Sequence, residues 1–509
     1  MIFQIPFWPI DSLSLLMAII IGSIAFLVFI YSFAHIKFKF VYYYLALSIT
    51  VLALFGTVFA KDLLTFYIFL EMMSAGTYFL IIHNGVETSF RAGYKYILCM
   101  LIGGLFVLTS GLLLYNYTGT FDLSIIKQVA PTLTSQQIAI FFSLFSIGCL
   151  IKIGAVPFHI WLPDAHPAAP SPISALLSGV TIKIGAYGII RMLFILGLLS
   201  WNLSLITVGV ASMLFGVILA LLQTNLKKLL AYHSISQMGY ILLGIGIGSE
   251  IGLAGGLFHV LNHAVFKALL FLCIGSIIYV TQKRELHDLG GLGKVMPITF
   301  ITFTVGALAI AGIPPFNGFA SKAMLSASVY NNLWLKLAII FTAAGTFASF
   351  LKIFRFAFLG ELPKTLKNIK DAPIFMLFPT IVLAGACLGI GIFSAPIIST
   401  LIAPAIKHII IFDFWNMRTL IDTLLTVFLG TSIYILGLKT GFLKTEKEKQ
   451  APSFMNYLSL DRMCVSAAQF INRSFEELNR IHTRSLNTHL LWIFLTLVVL
   501  IAGLWFAWI

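Results

Sequence analysis

The sequence has 509 residues, 60% of them hydrophobic and 10% charged, with a formal net charge of +14. A soluble chain normally carries about 25% charged residues, so the composition excludes a soluble globular enzyme and predicts an all-α polytopic membrane protein. The positive charge does not point to nucleic acid, because the basic residues lie in short loops between apolar runs, without a basic-aromatic module.

Apolar runs long enough to cross a bilayer lie near 12–34, 40–60, 63–83, 94–115, 137–165, 171–193, 202–222, 229–248, 252–280, 297–330, 335–358, 374–395, 418–438 and 489–508. That predicts fourteen transmembrane helices, the fifth and tenth of them broken, arranged around inverted-repeat five-helix bundles. The first run lacks a basic leader and a small-residue cleavage site, so it reads as a retained helix rather than a signal peptide. A short apolar segment near 397–411 reads as re-entrant or interfacial. Lys37, Lys39, Arg91, Lys95, Lys227, Lys228, Lys283, Arg284, Lys294, Lys364, Lys367, Lys370 and the basic residues from Lys439 to Arg484 all fall on one side of this arrangement. Only Lys61, Lys127, Lys407 and Arg418 fall on the other. The positive-inside rule makes the first side cytoplasmic and predicts an inner-membrane protein with both termini on the non-cytoplasmic side. The expected division is 1–93, N-terminal helices including the Glu71 helix; 94–222 and 223–360, two half-channel bundles; 361–438, further transmembrane helices; 439–488, a cytoplasmic segment with an amphipathic helix in 461–484; and 489–509, a last transmembrane helix.

Four lysines, Lys152, Lys183, Lys267 and Lys322, lie deep within these runs, and Glu71 is the one carboxylate placed mid-span. A lysine near the bilayer centre costs about 2.5–3.5 kcal/mol or more, so its default reading is an ion or proton path. Arg191, Lys336, Lys352 and Arg355 lie nearer helix ends, where long side chains snorkel. Pro157 and Pro163 interrupt the fifth run and Pro314 and Pro315 the tenth. Such breaks survive in a membrane only where protein or a water-filled cavity satisfies the freed backbone, and paired breaks in two halves of a transporter mark its site. In GLFHVLNHAVFKALLFL, His259, His263 and Lys267 recur every four residues and share one helix stripe. His-x3-His alone would suit two metal ligands, but no third ligand or HExxH glutamate accompanies it; an interior polar stripe fits better. Lys227 and Lys228 read as topology markers, with Tyr232 and His233 at the same interface. Five scattered cysteines without a CxxC pair give no disulfide framework, cluster or metal site.

The stretches GAVPFHIWLPDAHPAAPSPISALLSG, NLKKLLAYHSISQMGYILLG, FHVLNHAVFKALLFL and GIPPFNGFASK together resemble the antiporter-like proton-channel subunits of respiratory complex I. That family includes the D-type subunits of Mrp cation/proton antiporters and subunits of membrane-bound hydrogenases. The resemblance runs from about residue 10 to 360. It implies a proton relay in which Glu71 pairs with Lys152, Lys183 follows, Lys267 is central with His259 and His263 beside it, and Lys322 is terminal; some members have glutamate at that last position. Family members usually carry two hydrophobic helices ahead of the stretch matching IDSLSLLM, and those helices could be supplied by another chain. The very long lateral helix of some members is not expected here.

The resemblance implies a subunit of a hetero-oligomeric translocase, such as an NADH:quinone oxidoreductase or a related hydrogenase, with protons as cargo. No cofactor is expected in this chain; iron–sulfur clusters, flavin or nickel–iron would sit on hydrophilic redox partners. The competing readings are a multi-subunit Na+/H+ antiporter and a proton-driven membrane partner in inorganic-carbon uptake. Nitrogen-rich buried ligands favour protons over Na+, since hard cations prefer oxygen.

Overall fold

The computed structural model describes residues 11–200, 202–441 and 443. Its first four long helices are α1 (Ser12–His35), α2 (Phe40–Phe59), α3 (Leu63–Ile81) and α4 (Glu87–Thr118). The fifth run folds as α5 (Ser135–Ile153) and α6 (Leu162–Ala168), followed by α7 (Ser171–Leu196), α8 (Leu203–Leu222), α9 (Leu226–Ile247) and α10 (Glu250–Thr281). The tenth folds as α11 (Pro297–Ala311) and α12 (Asn317–Ser328), and α13 (Leu333–Phe358), α14 (Ile374–Ile392) and α15 (Met417–Lys439) follow.

The starts are set by short polar residues that accept hydrogen bonds from first-turn amides. Asp62, Asn202, Asn225, Ser249, Asn332 and Asn416 all do so, and Thr134 and Gln137 form a reciprocal capping box ahead of α5. Pro170 and Pro172 open α7 as helix-entry prolines do.

Among the described residues, eleven spans are long and apolar enough to cross a membrane. Length and apolarity there do not confirm the count of fourteen. The polar residues His233, Ser234, Ser236 and Gln237 dilute α9, whose side chains are buried almost throughout, so it needs no lipid-compatible surface. The broken tenth run yields two helices too short to span alone. The segment near 397–411 forms a short apolar helix, Ser394–Ile406. The amphipathic helix expected in 461–484 and the last expected span, 489–508, lie outside the described residues.

Burial separates the helices into a centre and a periphery. The most apolar 18-residue stretch of α7 is wholly buried and that of α10 is 83% buried, against 39% for α4. The outer helices turn large apolar side chains such as Phe26, Leu45, Leu98, Leu105, Ile218 and Phe428 outward. A surface of that composition suits lipid.

Two details repeat along the chain. The loop ahead of α3 bridges the loop after α4 at Asp62 and Asp122, and the loop ahead of α9 bridges the loop after α10 at Asn225 and Glu285, with equal sequence separation. Both broken helices also stop alike. Gly154 (φ 72°) and Gly312 (φ 83°) take the left-handed conformation, and each pair Gly154–Ala155 and Gly312–Ile313 donates both amides to one carbonyl, of Leu150 and Leu308 respectively. A residue with a Cβ resists that conformation.

Candidate functional site

The two breaks are held open by side chains. After α5 ends, the indole of Trp161 donates to the carbonyl of Ile151 at 3.0 Å, and Pro163 sits in the first turn of α6, where its missing amide costs nothing. Pro157 lies in the turn between the two pieces, and Pro314 and Pro315 occupy the corresponding turn between α11 and α12. Asn262 on α10 and Asn317 at the start of α12 each donate to the other's carbonyl, at 2.8 and 3.4 Å. That reciprocal clamp pins the second break to the central helix.

Glu71 and Lys152 meet as expected. Lys152 Nζ lies 2.7 Å from Glu71 Oε1 and 2.8 Å from Ser74 Oγ. The lysine side chain is 1% exposed and the glutamate 20%. The carboxylate fits because position 104 of α4 is glycine; a Cβ there would fall 2.3 Å from Oε1. Two residues past Lys183, a Cβ on Gly185 would fall 2.6 Å from the carbonyl of Cys149, so α7 packs tightly on α5 beside Lys152.

Lys183 follows a π-helical turn, Leu177–Thr181, and donates to the carbonyl of Ser178 within it. The widened turn leaves that carbonyl free for a side chain. The Ser178 hydroxyl meets the Ser234 hydroxyl of α9 at 2.7 Å, Ser234 Oγ donates to the carbonyl of Leu230 at 3.1 Å, and Lys267 Nζ donates to the same carbonyl at 2.6 Å. Two fully buried lysine amines, on α7 and α10, therefore donate to carbonyls on either side of the Ser178–Ser234 hydroxyl pair.

From Lys267 the polar groups continue along α10. His263 is fully buried, and neither of its ring nitrogens has a hydrogen-bond partner among the described residues. Its ring lies 6.1 Å from that of His259. His259 meets Ser321 Oγ at 2.9 Å and Gln237 Oε1 at 3.2 Å. Lys322, the next residue, donates to the carbonyl of Ile310 at 2.7 Å and lies 4.9 Å from the centre of the Tyr240 ring, which packs on His259. The seven predicted relay residues thus lie on helices that pack together in the described unit, and Lys183 through Lys322 form one polar row.

Several residues correct the sequence reading. Lys227 is buried, not a solvated topology marker: its Nζ donates to the carbonyl of Ala169 at 2.8 Å and lines a cavity of about 510 Å3 with His35, Lys37, His83 and Arg284. His233 is fully buried and meets Ser349 Oγ at 2.9 Å. Lys352 does not snorkel; it donates to the carbonyls of Leu221 and Gln223 at the end of α8, where a cation complements the helix dipole. Arg191 is ion-paired with Asp11 and Lys336 with Asp422. His166, unremarked in the sequence, stacks on Phe271 at 4.5 Å, with Lys267 Nζ 5.4 Å from the same ring. Its proline-rich surroundings were the one signal in its neighbourhood. Among the described residues no cluster of three or more His, Cys, Asp or Glu side chains could hold a metal ion.

Residues 60–348 match the family described as NADH:quinone oxidoreductase/Mrp antiporter, TM. The chain belongs to that family. It is 32% identical to hydrogenase-4 component B of Escherichia coli (strain K12), over 78% of this chain and 63% of the relative. It is also 32% identical to an Na(+)/H(+) antiporter subunit of Alkalihalophilus pseudofirmus, over 79% of this chain and 54% of the relative. The chain thus spans between half and two thirds of the length of these relatives. Among solved structures, a chain of the membrane-bound sulfane sulfur reductase, an archaeal respiratory membrane complex, is 25% identical with a TM-score of 0.77, covering 96% of this chain and 88% of that one. The matched region contains every residue of the polar row. This member of the family is a multi-pass membrane protein.

Proposed function

We propose that this chain carries protons through the membrane domain of a hetero-oligomeric complex, along Glu71, Lys152, Lys183, Lys267, His263, His259 and Lys322. The observation that carries the reading is the succession of buried lysines and histidines on helices that pack together, with serine hydroxyls between Lys183 and Lys267. Hydroxyls and imidazoles both donate and accept, so they can hand a proton on. A buried imidazole without a protein partner is a group that water satisfies.

Glu71 acts as the gate. At about 4 Å and an effective dielectric near 20, opposite charges attract by about 4 kcal/mol. With the carboxylate at Lys152 the buried ammonium keeps its proton; with the carboxylate withdrawn, the lone charge is relieved by handing the proton on. Movement in a neighbouring protein of the complex would set the carboxylate's position.

The repeated bridges and matching helix stops favour two half-channels built on α2–α7 and α8–α13, rather than the expected bounds of 94–222 and 223–360. The bias of basic residues supports a cytoplasmic side at the loop containing Lys37 and Lys39, with both termini on the opposite side. The redox-complex reading is favoured by the likeness to a hydrogenase component and to a chain of a respiratory complex. In that case iron–sulfur, flavin or nickel–iron groups belong to partner subunits. The antiporter reading is favoured by the likeness to the Na(+)/H(+) antiporter relative.

Purification of the full chain in mild detergent with its partners tests this choice. Visible absorption from iron–sulfur or flavin subunits is expected; a colourless assembly of membrane proteins alone would move the chain to a cation/proton antiporter. Proton uptake by proteoliposomes of that complex should be lost on Lys267→Met, and wild-type uptake in that variant would refute the relay.

A further inference from the structure

The polar row ends at Lys322, but a carboxylate stands just beyond it. We propose that Asp422 on α15 takes the proton that leaves Lys322 and releases it to an outer cavity, an extension that rests on the proton-carrying reading above.

Lys322, Ser326, Thr419, Asp422 and Thr426 line one cavity of about 40 Å3. One water needs roughly 10–15 Å3 of such space, so a short water file fits between the ammonium and the carboxylate. A second cavity, of about 490 Å3, is lined by Ser326, Tyr330, Lys336, Arg418 and Asp422. Tyr330 and Met417 on its wall are 51% and 72% exposed, so it opens at the surface of the described residues. Asp422 and Ser326 belong to both cavities and, with Ala323 and Thr419, form the wall between them.

That wall is a hydrogen-bonded unit. Ser326 Oγ donates to Asp422 Oδ2 at 2.7 Å, and Lys336 Nζ lies 3.0 Å from Oδ1. The charged groups facing Asp422 are Lys322 from α12, Lys336 from α13 and Arg418 from α15 itself. Lys336 and Arg418 both lie over the Tyr330 ring, at 5.3 and 4.5 Å, which sets two cations on the outer side of Asp422 against Lys322 on the inner.

The step balances in protons and charge. One proton leaves Lys322 Nζ, crosses the water file and arrives on an Asp422 oxygen, turning an ammonium and a carboxylate into a neutral amine and a neutral acid. No new charge is created in the low-dielectric interior. The acid then releases the same proton outward, and Lys336 and Ser326 receive the restored carboxylate. An ion pair serving only to tie α15 to α13 would have no need of a buried lysine in the same cavity.

The test compares Asp422→Asn, Asp422→Glu and Lys322→Met in proteoliposomes of the purified complex, reading proton uptake by dye quenching and assembly on native gels. Asp422→Asn should lower uptake by about a hundredfold, in the range of a lost proton-transfer group, with assembly retained. Asp422→Glu should keep most of the rate. Wild-type uptake in Asp422→Asn beside loss in Lys322→Met would overturn the role of Asp422 and leave the relay standing. Wild-type uptake in both would remove the relay as well. If Asp422→Asn does not assemble, Lys336→Gln decides: it cuts the tie but keeps the carboxylate. An assembled Lys336→Gln complex with a displaced pH profile of uptake supports the proposal. Loss of assembly, or an unchanged profile, assigns Asp422 to structure alone.

Discussion

The hydroxyls of Ser178 and Ser234 meet at 2.7 Å between two buried lysines: Lys183 donates to the carbonyl of Ser178, and Ser234 and Lys267 both donate to the carbonyl of Leu230. The direct polar contact between α7 and α9 at this point is made by two ordinary serines. Ser178→Ala removes their shared hydrogen bond and Ser234→Ala removes that bond and the one to the Leu230 carbonyl, each worth about 1 kcal/mol, which is roughly fivefold. Proton uptake by the complex is expected to slow severalfold in each variant without loss of assembly. Unchanged rates in both would place the path elsewhere.

Gly104 governs Glu71. A methyl group at position 104 would fall 2.3 Å from Oε1 and 2.8 Å from the carboxyl carbon, so Gly104→Ala must push the carboxylate off Lys152. Impaired proton uptake is expected, with partial recovery when Glu71→Asp in the same chain draws the carboxylate back by one methylene. A Gly104→Ala complex that pumps normally would argue against close contact at this pair.

Removing one partner of a buried ion pair costs about 3–5 kcal/mol, because the other charge is left uncompensated. Glu71→Gln should therefore lower the thermal stability of the purified complex as well as its uptake. Adding Lys152→Met should restore much of the stability and none of the uptake, since a thioether side chain cannot carry a proton. Recovery of both would reduce the pair to a structural tie.

Asp11 caps α1 and is ion-paired with Arg191. Burial pushes its carboxyl up, but hydrogen bonds and charge from Arg191, together with Ser14, outweigh burial and hold it below the ordinary value of 3.8. A carboxyl depressed in the folded state stabilises fully above its unfolded value and loses that contribution as the pH falls through the folded one. The melting temperature of the complex should thus exceed that of Asp11→Asn by a constant margin from about pH 5 to 8, and the margin should shrink below about pH 4. A margin independent of pH would mean that the cap, not the charge, supplies the stability.

The sequence by itself determined the helices, the two breaks and the main ionisable groups. Each is a local property: an apolar run, a proline that cannot donate, or a lysine whose cost in hydrocarbon is evident from its neighbours. The family motifs are equally local, and the resemblance they carry is the ground on which Glu71, Lys152, Lys183, His259, His263, Lys267 and Lys322 are proposed as a relay.

Only the tertiary structure decided what these groups touch. Lys227 and Lys352 looked like markers at helix ends, yet carbonyls from distant helices receive them inside the protein. Asp422, one turn into an apolar helix, shows its setting only through Lys336 and Ser326, which reach it from other helices. Ser178, Ser234, Gln237 and Ser321 carry no charge to draw notice, and serines in membrane helices commonly bond their own backbone. Their use as links depends on which helix faces which. That is set by the packing of whole helices far apart in sequence, because a hydrogen bond is decided over a few tenths of an ångström and a sequence pattern over several residues.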